Sequence, residues 1–257
     1  MIKYCLLFIC LYSISFAQTT KIYDINGTPR KVIIYEQTRE TDKIPVVFIF
    51  HGHGGNANLV SRKLDFQNYY KEALIIFMEG IPGRKSKSDP MGKMNGWQIF
   101  PNDLENRDIN FFDQVFEDIG HRYKIDYDRI YVVGHSNGAR FANVLWKERG
   151  DKLSAICSAS AQGGIMISQA LPISVWMYMG KNDKIVPYEN QIKSIPLVKR
   201  NLGIVNNGKK SDDKMYYWGN YNTELVVQES DGEHEFPQQT IPEIVDFFKR
   251  NIKQKYP

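Results

Sequence analysis

One stretch, residues 130–138, constrains the fold of this chain more than any other. Its sequence, Ile-Tyr-Val-Val-Gly-His-Ser-Asn-Gly, runs from four apolar or aromatic residues into the pattern G-x-S-x-G. Residues 139–146 then have the composition of a helix, so the predicted order is strand, tight turn, helix. A side chain at Gly134 or Gly138 would meet neighbouring backbone in such a turn. The pattern favours a sharp turn that presents Ser136 as a nucleophile, and the alternative is an ordinary turn with a serine cap.

Apolar runs of strand length recur along the chain and alternate with amphipathic segments. Strands are predicted at 31–36, 44–50, 73–78, 153–159, 173–179, 214–218 and 224–228. Helices are predicted at 64–71, 187–201 and 241–252, with another that follows Asp108 as its N-cap and extends to Ile119. This alternation predicts an α/β fold with a mostly parallel central sheet and helices on both faces.

The N-terminus differs in composition from the rest of the chain. A lysine precedes a charge-free apolar run over residues 4–16, and small residues stand at Ser15 and Ala17. This arrangement is typical of a secretory signal peptide, residues 1–17, cleaved after Ala17. A membrane anchor is the alternative, but a run of about 13 residues is shorter than the ~20 that a spanning helix needs. Residues 18–257 are then expected to form one catalytic domain, secreted or periplasmic, without a stable membrane anchor.

Cysteine content and charge indicate which classes of protein this chain does not resemble. Cys5 and Cys10 lie in the predicted signal peptide, so Cys157 is the only mature thiol and no intrachain disulfide is expected. A lipid-modified Cys10 is a weaker alternative, because bulky Ile9 precedes it. Cys157 lies in a small-residue strand and is predicted to be buried. The formal net charge is +4 and the basic residues are scattered, which gives no indication of nucleic-acid binding.

Three residues of complementary chemistry each follow a predicted strand. A serine hydroxyl needs a base within hydrogen-bond reach, and that base needs an orienting carboxylate. Ser136, Asp183 and His234 occur in the order nucleophile, acid, base. The carboxyl ends of parallel strands meet at one edge of a sheet, so these side chains are expected to lie together. We predict Ser136 as nucleophile, His234 as base and Asp183 as the orienting acid.

Other histidines and aspartates are less well placed. His121 falls at a helix end, and His135 lies inside the turn itself, which leaves His234 as the best base. Asp213 lies in a polar connector, and Asp231 is only three residues from His234. Both aspartates remain rivals for the role of the acid.

A glycine-rich loop, His51-Gly-His-Gly-Gly55, follows the first buried strand. Loops at this place supply N–H donors to an oxyanion in serine enzymes with this strand order. We therefore predict an oxyanion hole made by the backbone N–H groups of His53 and Asn137, with His51 bracing the loop. His51 and His53 could also indicate a metal site. No third ligand with suitable spacing appears in the sequence, so a metal is not expected.

Taken together, these motifs resemble those of a known group of enzymes. The matching segments are residues 51–56, 96–97, 132–139, 183–188 and 232–237, with Asp108 and its helix. They are similar to those of secreted polyhydroxybutyrate depolymerases and feruloyl esterases, an LpqC-like, carbohydrate-esterase-family-1-like group of α/β-hydrolases. The resemblance implies a serine esterase that needs no cofactor and acts on a small or polysaccharide-linked ester. It also implies that Trp97 lines the acyl or alcohol pocket, although Trp97 could instead plug the core and anchor a long loop.

The chain departs from that group in two ways. Phe236 stands where the group often has tryptophan after the histidine, and the cysteine pairs of typical polymer depolymerases are missing. These departures favour a small soluble or carbohydrate-linked ester over a polymer. A peptidase of the same fold and a catalytically silent binding protein are the alternative functions.

Overall fold

The structure is a computed structural model that describes residues 18–254. The predicted signal peptide, residues 1–17, lies outside the described residues. The strands are β1 (Gln18–Ile25), β2 (Thr28–Tyr35), β3 (Ile44–Phe50), β4 (Leu74–Met78), β5 (Ile125–His135), β6 (Ala155–Ala159), β7 (Ser174–Gly180), β8 (Lys209–Ser211), β9 (Lys214–Trp218) and β10 (Glu224–Ser230). The α-helices are α1 (Ala57–Lys63), α2 (Phe66–Tyr69), α3 (Arg107–Arg122), α4 (Asn137–Arg149), α5 (Tyr188–Gln191), α6 (Ser194–Leu202) and α7 (Ile241–Arg250).

All ten strands join one sheet in the order β1-β2-β4-β3-β5-β6-β7-β10-β9-β8. The six strands from β4 to β10 in this order are parallel. The two strands at each edge are antiparallel to their neighbours. Every residue of β3, β4, β6 and β7 is buried, which explains their continuous apolar sequences, because a parallel sheet is covered on both faces.

Two apolar layers cover the two faces of the sheet. One contains buried side chains of α3, α4 and α6, and the other contains those of α1, α2 and α7. The predicted fold class, a mostly parallel sheet with helices on both faces, is confirmed. Cys157 is free and buried within β6, as predicted, and burial raises the pKa of its thiol. Among residues 18–254, no helix is both long and apolar enough to cross a bilayer.

Several boundaries differ from the predictions at the edges of the sheet. The edge strands β1 and β8 were not predicted, since their side chains are largely polar and solvent-facing. Helix α1 was also not predicted, although Asn56 caps it by accepting a hydrogen bond from the Leu59 N–H at 2.9 Å. The single helix predicted at 187–201 is divided into α5 and α6.

The prediction that Asp108 caps a helix is wrong. Asp108 lies in the first turn of α3, completely buried, and its carboxylate accepts a hydrogen bond from buried Arg30 at 2.8 Å. The Gln98 side chain accepts hydrogen bonds from the N–H groups of Asp108 and Ile109, both at 3.2 Å. Gln98, in the loop that precedes the helix, therefore caps the helix start. The Asp108 carboxylate in turn accepts a hydrogen bond from the Gln98 N–H at 2.7 Å. This buried network attaches the long loop between β4 and α3, residues 79–106, to the sheet.

The turn between β5 and α4 is packed as the glycine pattern predicts. A Cβ on Gly134 would collide with the backbone of Gly138 and Ala139, and one on Gly138 would collide with the carbonyl oxygens of Phe50 and His51. Ser136 between them has a φ of 54°, which side chains rarely adopt. The helix therefore approaches the end of β3 without any intervening side chain, and Ser136 projects from a strained turn.

We expect the substitution Gly138→Ala to lower the free energy of unfolding by about 1–3 kcal/mol or more, because the added methyl meets rigid backbone. Gly150→Ala is the matched control. Gly150 has a φ of −55°, and a Cβ there would lie 3.4 Å from Leu171 Cβ, which is ordinary contact. Urea denaturation of the two variants measures the difference, and equal stability would contradict this account of the turn.

Candidate active site

Ser136, His234 and Asp183 form a continuous hydrogen-bonded relay. The distance from Ser136 Oγ to His234 Nε2 is 2.8 Å, and from His234 Nδ1 to Asp183 Oδ2 it is 2.7 Å. A carboxylate can only accept, so His234 Nδ1 donates to Asp183, and Nε2 is left to accept the Ser136 O–H. The structure thus brings together the three residues that the sequence singled out, in the geometry that activates a serine hydroxyl.

The sheet explains why residues so distant in sequence meet. Ser136 follows β5, Asp183 follows β7 and His234 follows β10. Strands β7 and β10 are adjacent and parallel, with Gly180 opposite Ser230, so the loops after them leave the sheet side by side. A Cβ on Gly180 would collide with the carbonyl oxygens of the His234 loop, which shows how closely the two loops pack.

Asp183 is held by more than the histidine. Its Oδ1 accepts hydrogen bonds from the N–H groups of Ile185 and Val186, both at 2.8 Å. Its Oδ2 also accepts from Gln191 Nε2 at 2.9 Å. The Asp183 side chain is fully buried, so these bonds replace water around the carboxylate and fix its orientation. Sequence reasoning missed Gln191, because nothing in its local sequence distinguishes it from other polar residues of a short helix.

The two rival aspartates lie elsewhere. Asp213 binds Lys214 Nζ at 2.7 Å and Gln228 Nε2 at 2.8 Å. The Asp231 side chain is 90% exposed, and its charged neighbour is Lys181 at 3.7 Å. Neither carboxylate is hydrogen-bonded to His234 among the described residues, so the geometry favours Asp183.

The two residues predicted for the oxyanion hole flank the serine. Asn137 is the first residue of α4, where backbone N–H groups lack partners within the helix. The loop that carries His53 passes close to the serine, since a Cβ on Gly52 would lie 3.4 Å from Ser136 Cβ. Within residues 18–254, neither the His53 N–H nor the Asn137 N–H has a protein acceptor. Both donors are therefore free to bind an oxygen atom of a ligand.

His51 braces this loop, as the sequence suggested. Its Nε2 accepts a hydrogen bond from the Gly80 N–H at 2.9 Å, so Nδ1 carries the proton and donates to the Gly52 carbonyl at 2.7 Å. Burial lowers the pKa of His51 to about 4, which keeps the ring neutral. His53 Nε2 lies 3.4 Å from Asp89, and no cluster of three metal-ligating side chains occurs in the described part of the chain.

Trp97 lies in the core, whereas the resemblance implied that it lines the acyl or alcohol pocket. Its side chain is fully buried, donates Nε1–H to the His51 carbonyl at 2.9 Å, and stacks on Phe141 at a centroid distance of 5.3 Å. The Asn137 side chain holds the Trp97 backbone by two hydrogen bonds: it accepts from the Trp97 N–H at 2.7 Å and donates to the Trp97 carbonyl at 3.1 Å. Trp97 therefore plugs the core and anchors the loop, which was the alternative reading.

His135 is a further buried histidine beside the relay. Its ring centroid lies 5.0 Å from that of His234. Burial and the nearby His234 lower the pKa of His135 to about 3, so the His135 ring is neutral at neutral pH. The site thus holds one histidine in reach of the serine and a second that is unable to compete for its proton.

Comparison with known proteins agrees with this architecture. The structure is similar to an acetyl xylan esterase from Aspergillus awamori, with a TM-score of 0.69 at 12% identity over 91% of this chain and 99% of that one. It is also similar to an S-formylglutathione hydrolase from Agrobacterium tumefaciens, with a TM-score of 0.68 at 10% identity over 93% and 98% of the two chains. A ferulic acid esterase matches with a TM-score of 0.65 at 14% identity over 91% and 97%. The chain has the α/β-hydrolase fold.

Sequence similarity to known proteins covers less of the chain than the structural similarity does. No family model matches the chain. NocK of Nocardia uniformis subsp. tsuyamanensis, which carries a provisional esterase assignment, is 22% identical over 190 residues. That match covers 65% of this chain and 52% of NocK, so the chain spans about half the length of this curated relative. The narrower resemblance to polyhydroxybutyrate depolymerases and feruloyl esterases stays a prediction.

We predict that His135 makes the protein less stable in acid. The unfolded chain protonates this histidine as the pH falls below about 6.5, whereas the folded protein does so only near 3. The unfolded state therefore binds more protons between these values, and the free energy of unfolding falls by up to about 1.4 kcal/mol per pH unit. Denaturation of His135→Gln between pH 6.5 and 4 should show a smaller slope than the native protein.

The matched control for this experiment is His121→Gln. The His121 side chain is 78% exposed on the end of α3, so its substitution should leave the slope unchanged. Identical slopes for His135→Gln and the native protein would show that His135 titrates normally in the folded state.

Proposed function

We propose that this protein is a serine carboxylic ester hydrolase. The observation that carries the proposal is the relay from Ser136 Oγ to His234 at 2.8 Å and from His234 to buried Asp183 at 2.7 Å. Two unpartnered backbone N–H groups beside the serine supply the remaining element that acyl transfer needs. The esterase descriptions of proteins that share the fold support the same conclusion.

In the proposed first half-reaction, Ser136 Oγ attacks the carbonyl carbon of the ester while His234 Nε2 takes the proton of the hydroxyl. The carbonyl electron pair moves to oxygen, and the N–H groups of His53 and Asn137 stabilise the negative charge. The pair then returns, the bond to the alcohol oxygen breaks, and the leaving alkoxide takes the proton from His234. The alcohol departs and the acyl group remains on Ser136 as an ester.

The second half-reaction repeats these steps with water. His234 removes a proton from water, and the oxygen attacks the acyl-enzyme carbonyl. Collapse of the second intermediate breaks the bond to Ser136, whose oxygen regains its proton from His234, and the carboxylic acid departs. Asp183 stays ionised throughout and orients the imidazole while stabilising its transient positive charge. No step needs a cofactor.

The substrate class that we propose is a feruloyl- or acetyl-type carbohydrate ester, or a hydroxyalkanoate ester. Support for it comes from the motif resemblance and from the structural likeness to an acetyl xylan esterase and a ferulic acid esterase. We further propose that residues 1–17 direct export, which would place the catalytic domain, residues 18–257, in the periplasm or the medium.

We predict that Ser136→Ala abolishes hydrolysis of p-nitrophenyl acetate while circular dichroism and unfolding temperature stay close to those of the native protein. Removal of the nucleophile removes the acyl-enzyme, so labelling by a fluorophosphonate probe should disappear as well. A variant that still hydrolyses the ester would overturn the assignment. Folded native protein that neither reacts with the probe nor cleaves the ester would favour a binding protein, and preference for peptides over esters would favour a peptidase.

Asp183→Asn should reduce kcat by about 10⁴-fold, because an amide no longer selects the imidazole tautomer that accepts the serine proton. Asp231→Asn is the control, since this rival acid is exposed and bonded to Lys181 alone among charged groups. Steady-state kinetics with p-nitrophenyl acetate compares the two variants. A large loss in Asp231→Asn with a small one in Asp183→Asn would transfer the role to the rival.

A further inference from the structure

Arg140 is a cation without a counter-ion beside the candidate site. It lies on α4 and is half-buried. Its guanidinium has no hydrogen bond and no ion pair among the described residues. By contrast, the enclosed arginines Arg30, Arg84 and Arg149 each bind a carboxylate at 3.0 Å or less. Arg140 therefore differs from these three arginines, because no carboxylate of the described residues pairs with it.

A second arginine acts electrostatically on Arg140. Arg84, which already pairs with Asp103 at 3.0 Å, faces it as a second cation. Burial and this repulsion lower the pKa of Arg140, and no acidic group counteracts them. A guanidinium remains protonated in proteins, so the arrangement leaves a half-buried positive charge whose donors have no protein acceptor among the described residues.

Arg140 opens into a cavity of about 180 Å³. The cavity walls include Ile99, Phe100, Gln162 and Gly163, none of which is charged. Sites for whole drug-sized ligands measure ~300–1,000 Å³, so this space suits one substituent of a larger molecule. One cation among neutral groups matches an anion of a single negative charge.

The residues that line the cavity come from segments that lie next to Ser136 in the fold. Arg140 lies one helical turn after Ser136, a rise of about 6 Å, and helix side chains tilt back toward the N-terminus. The Asn137 side chain clamps Trp97, which brings the segment with Ile99 and Phe100 over the start of α4. On the opposite side, the Ser136 N–H donates to the Ala159 carbonyl at 2.9 Å, three residues before Gln162.

We propose that Arg140 binds a carboxylate on the substrate, so that the ester hydrolysed at Ser136 is an anionic one. The inference rests on the proposed ester hydrolysis and specifies its substrate class. A guanidinium and a carboxylate form two parallel charge-assisted hydrogen bonds, which provide orientation as well as affinity. Arg140 would hold the anionic end of the ester while the acyl carbon meets the serine.

Two pairs of esters test the proposal, because the carboxylate could lie on either side of the scissile bond. For the alcohol side, 4-acetoxybenzoate is compared with neutral 4-acetoxybenzamide. For the acyl side, 4-nitrophenyl 4-carboxybenzoate is compared with 4-nitrophenyl 4-carbamoylbenzoate. The readout is the ratio of kcat/KM for the charged and the neutral ester at low ionic strength. Any general effect of a substitution cancels in this ratio.

For at least one pair we expect Arg140→Gln to lower the ratio about tenfold or more, as loss of a hydrogen bond to a charged group implies. Arg140→Lys should retain part of the preference, because it keeps the charge without the planar fork. Arg39→Gln is the control, because it removes one positive charge from the loop between β2 and β3, where the Arg39 side chain is 66% exposed. This substitution should leave the ratio unchanged.

Two different failures are distinguishable. Ratios that change less than twofold in Arg140→Gln for both pairs, in an enzyme that cleaves the neutral esters, would overturn the role of Arg140 alone. Native protein that cleaves none of the four esters and resists the fluorophosphonate probe would overturn the proposed function, and this inference with it. An equal loss of preference in Arg39→Gln would show a general charge effect and would also overturn the role of Arg140.

Discussion

The close approach of α4 to the end of β3 determines most of the geometry of the candidate site. Gly138 faces two backbone carbonyl oxygens with no space for a side chain, and Gly134 faces the helix in the same way. This contact holds Ser136 in a positive-φ conformation that would otherwise relax. Among the described residues, the Asn137 N–H has no protein acceptor, because Asn137 is the first residue of α4. The packing at the two glycines therefore places this free donor beside the strained serine.

The relay depends in turn on the sheet. Asp183 and His234 are 51 residues apart, and His234 and Ser136 are 98 apart, yet the side chains are in hydrogen-bond contact. Loops carry these residues, but each loop begins at the end of a buried parallel strand, and β7 and β10 are paired directly. The buried strands and the apolar layers on both faces of the sheet thus set the positions of the three polar side chains. Gln191 adds a local restraint by holding Asp183 from behind.

A second buried network gives the long loop its place. Arg30 and Asp108 form an ion pair that is almost inaccessible to water, and Gln98 links it to the helix start and to the loop. Such pairs contribute little net stability, but each partner strongly disfavours any arrangement that leaves the other unpaired. The loop residue Trp97 is then stacked in the core between the network and the serine turn. This arrangement explains why an aromatic residue in a polar loop anchors that loop instead of meeting a ligand.

The local sequence determined the features that depend on neighbouring residues. Continuous apolar runs indicated the buried strands, and paired glycines indicated the turn around Ser136, because backbone sterics and burial act over a few positions. Asp183 and His234 could be proposed because each follows a strand. What only the tertiary structure decided are the contacts between distant segments: the selection of Asp183 over Asp213, the burial of Trp97, and the capping of α3 by Gln98. These depend on which side chains the sheet order brings face to face, and no short stretch of sequence contains that information.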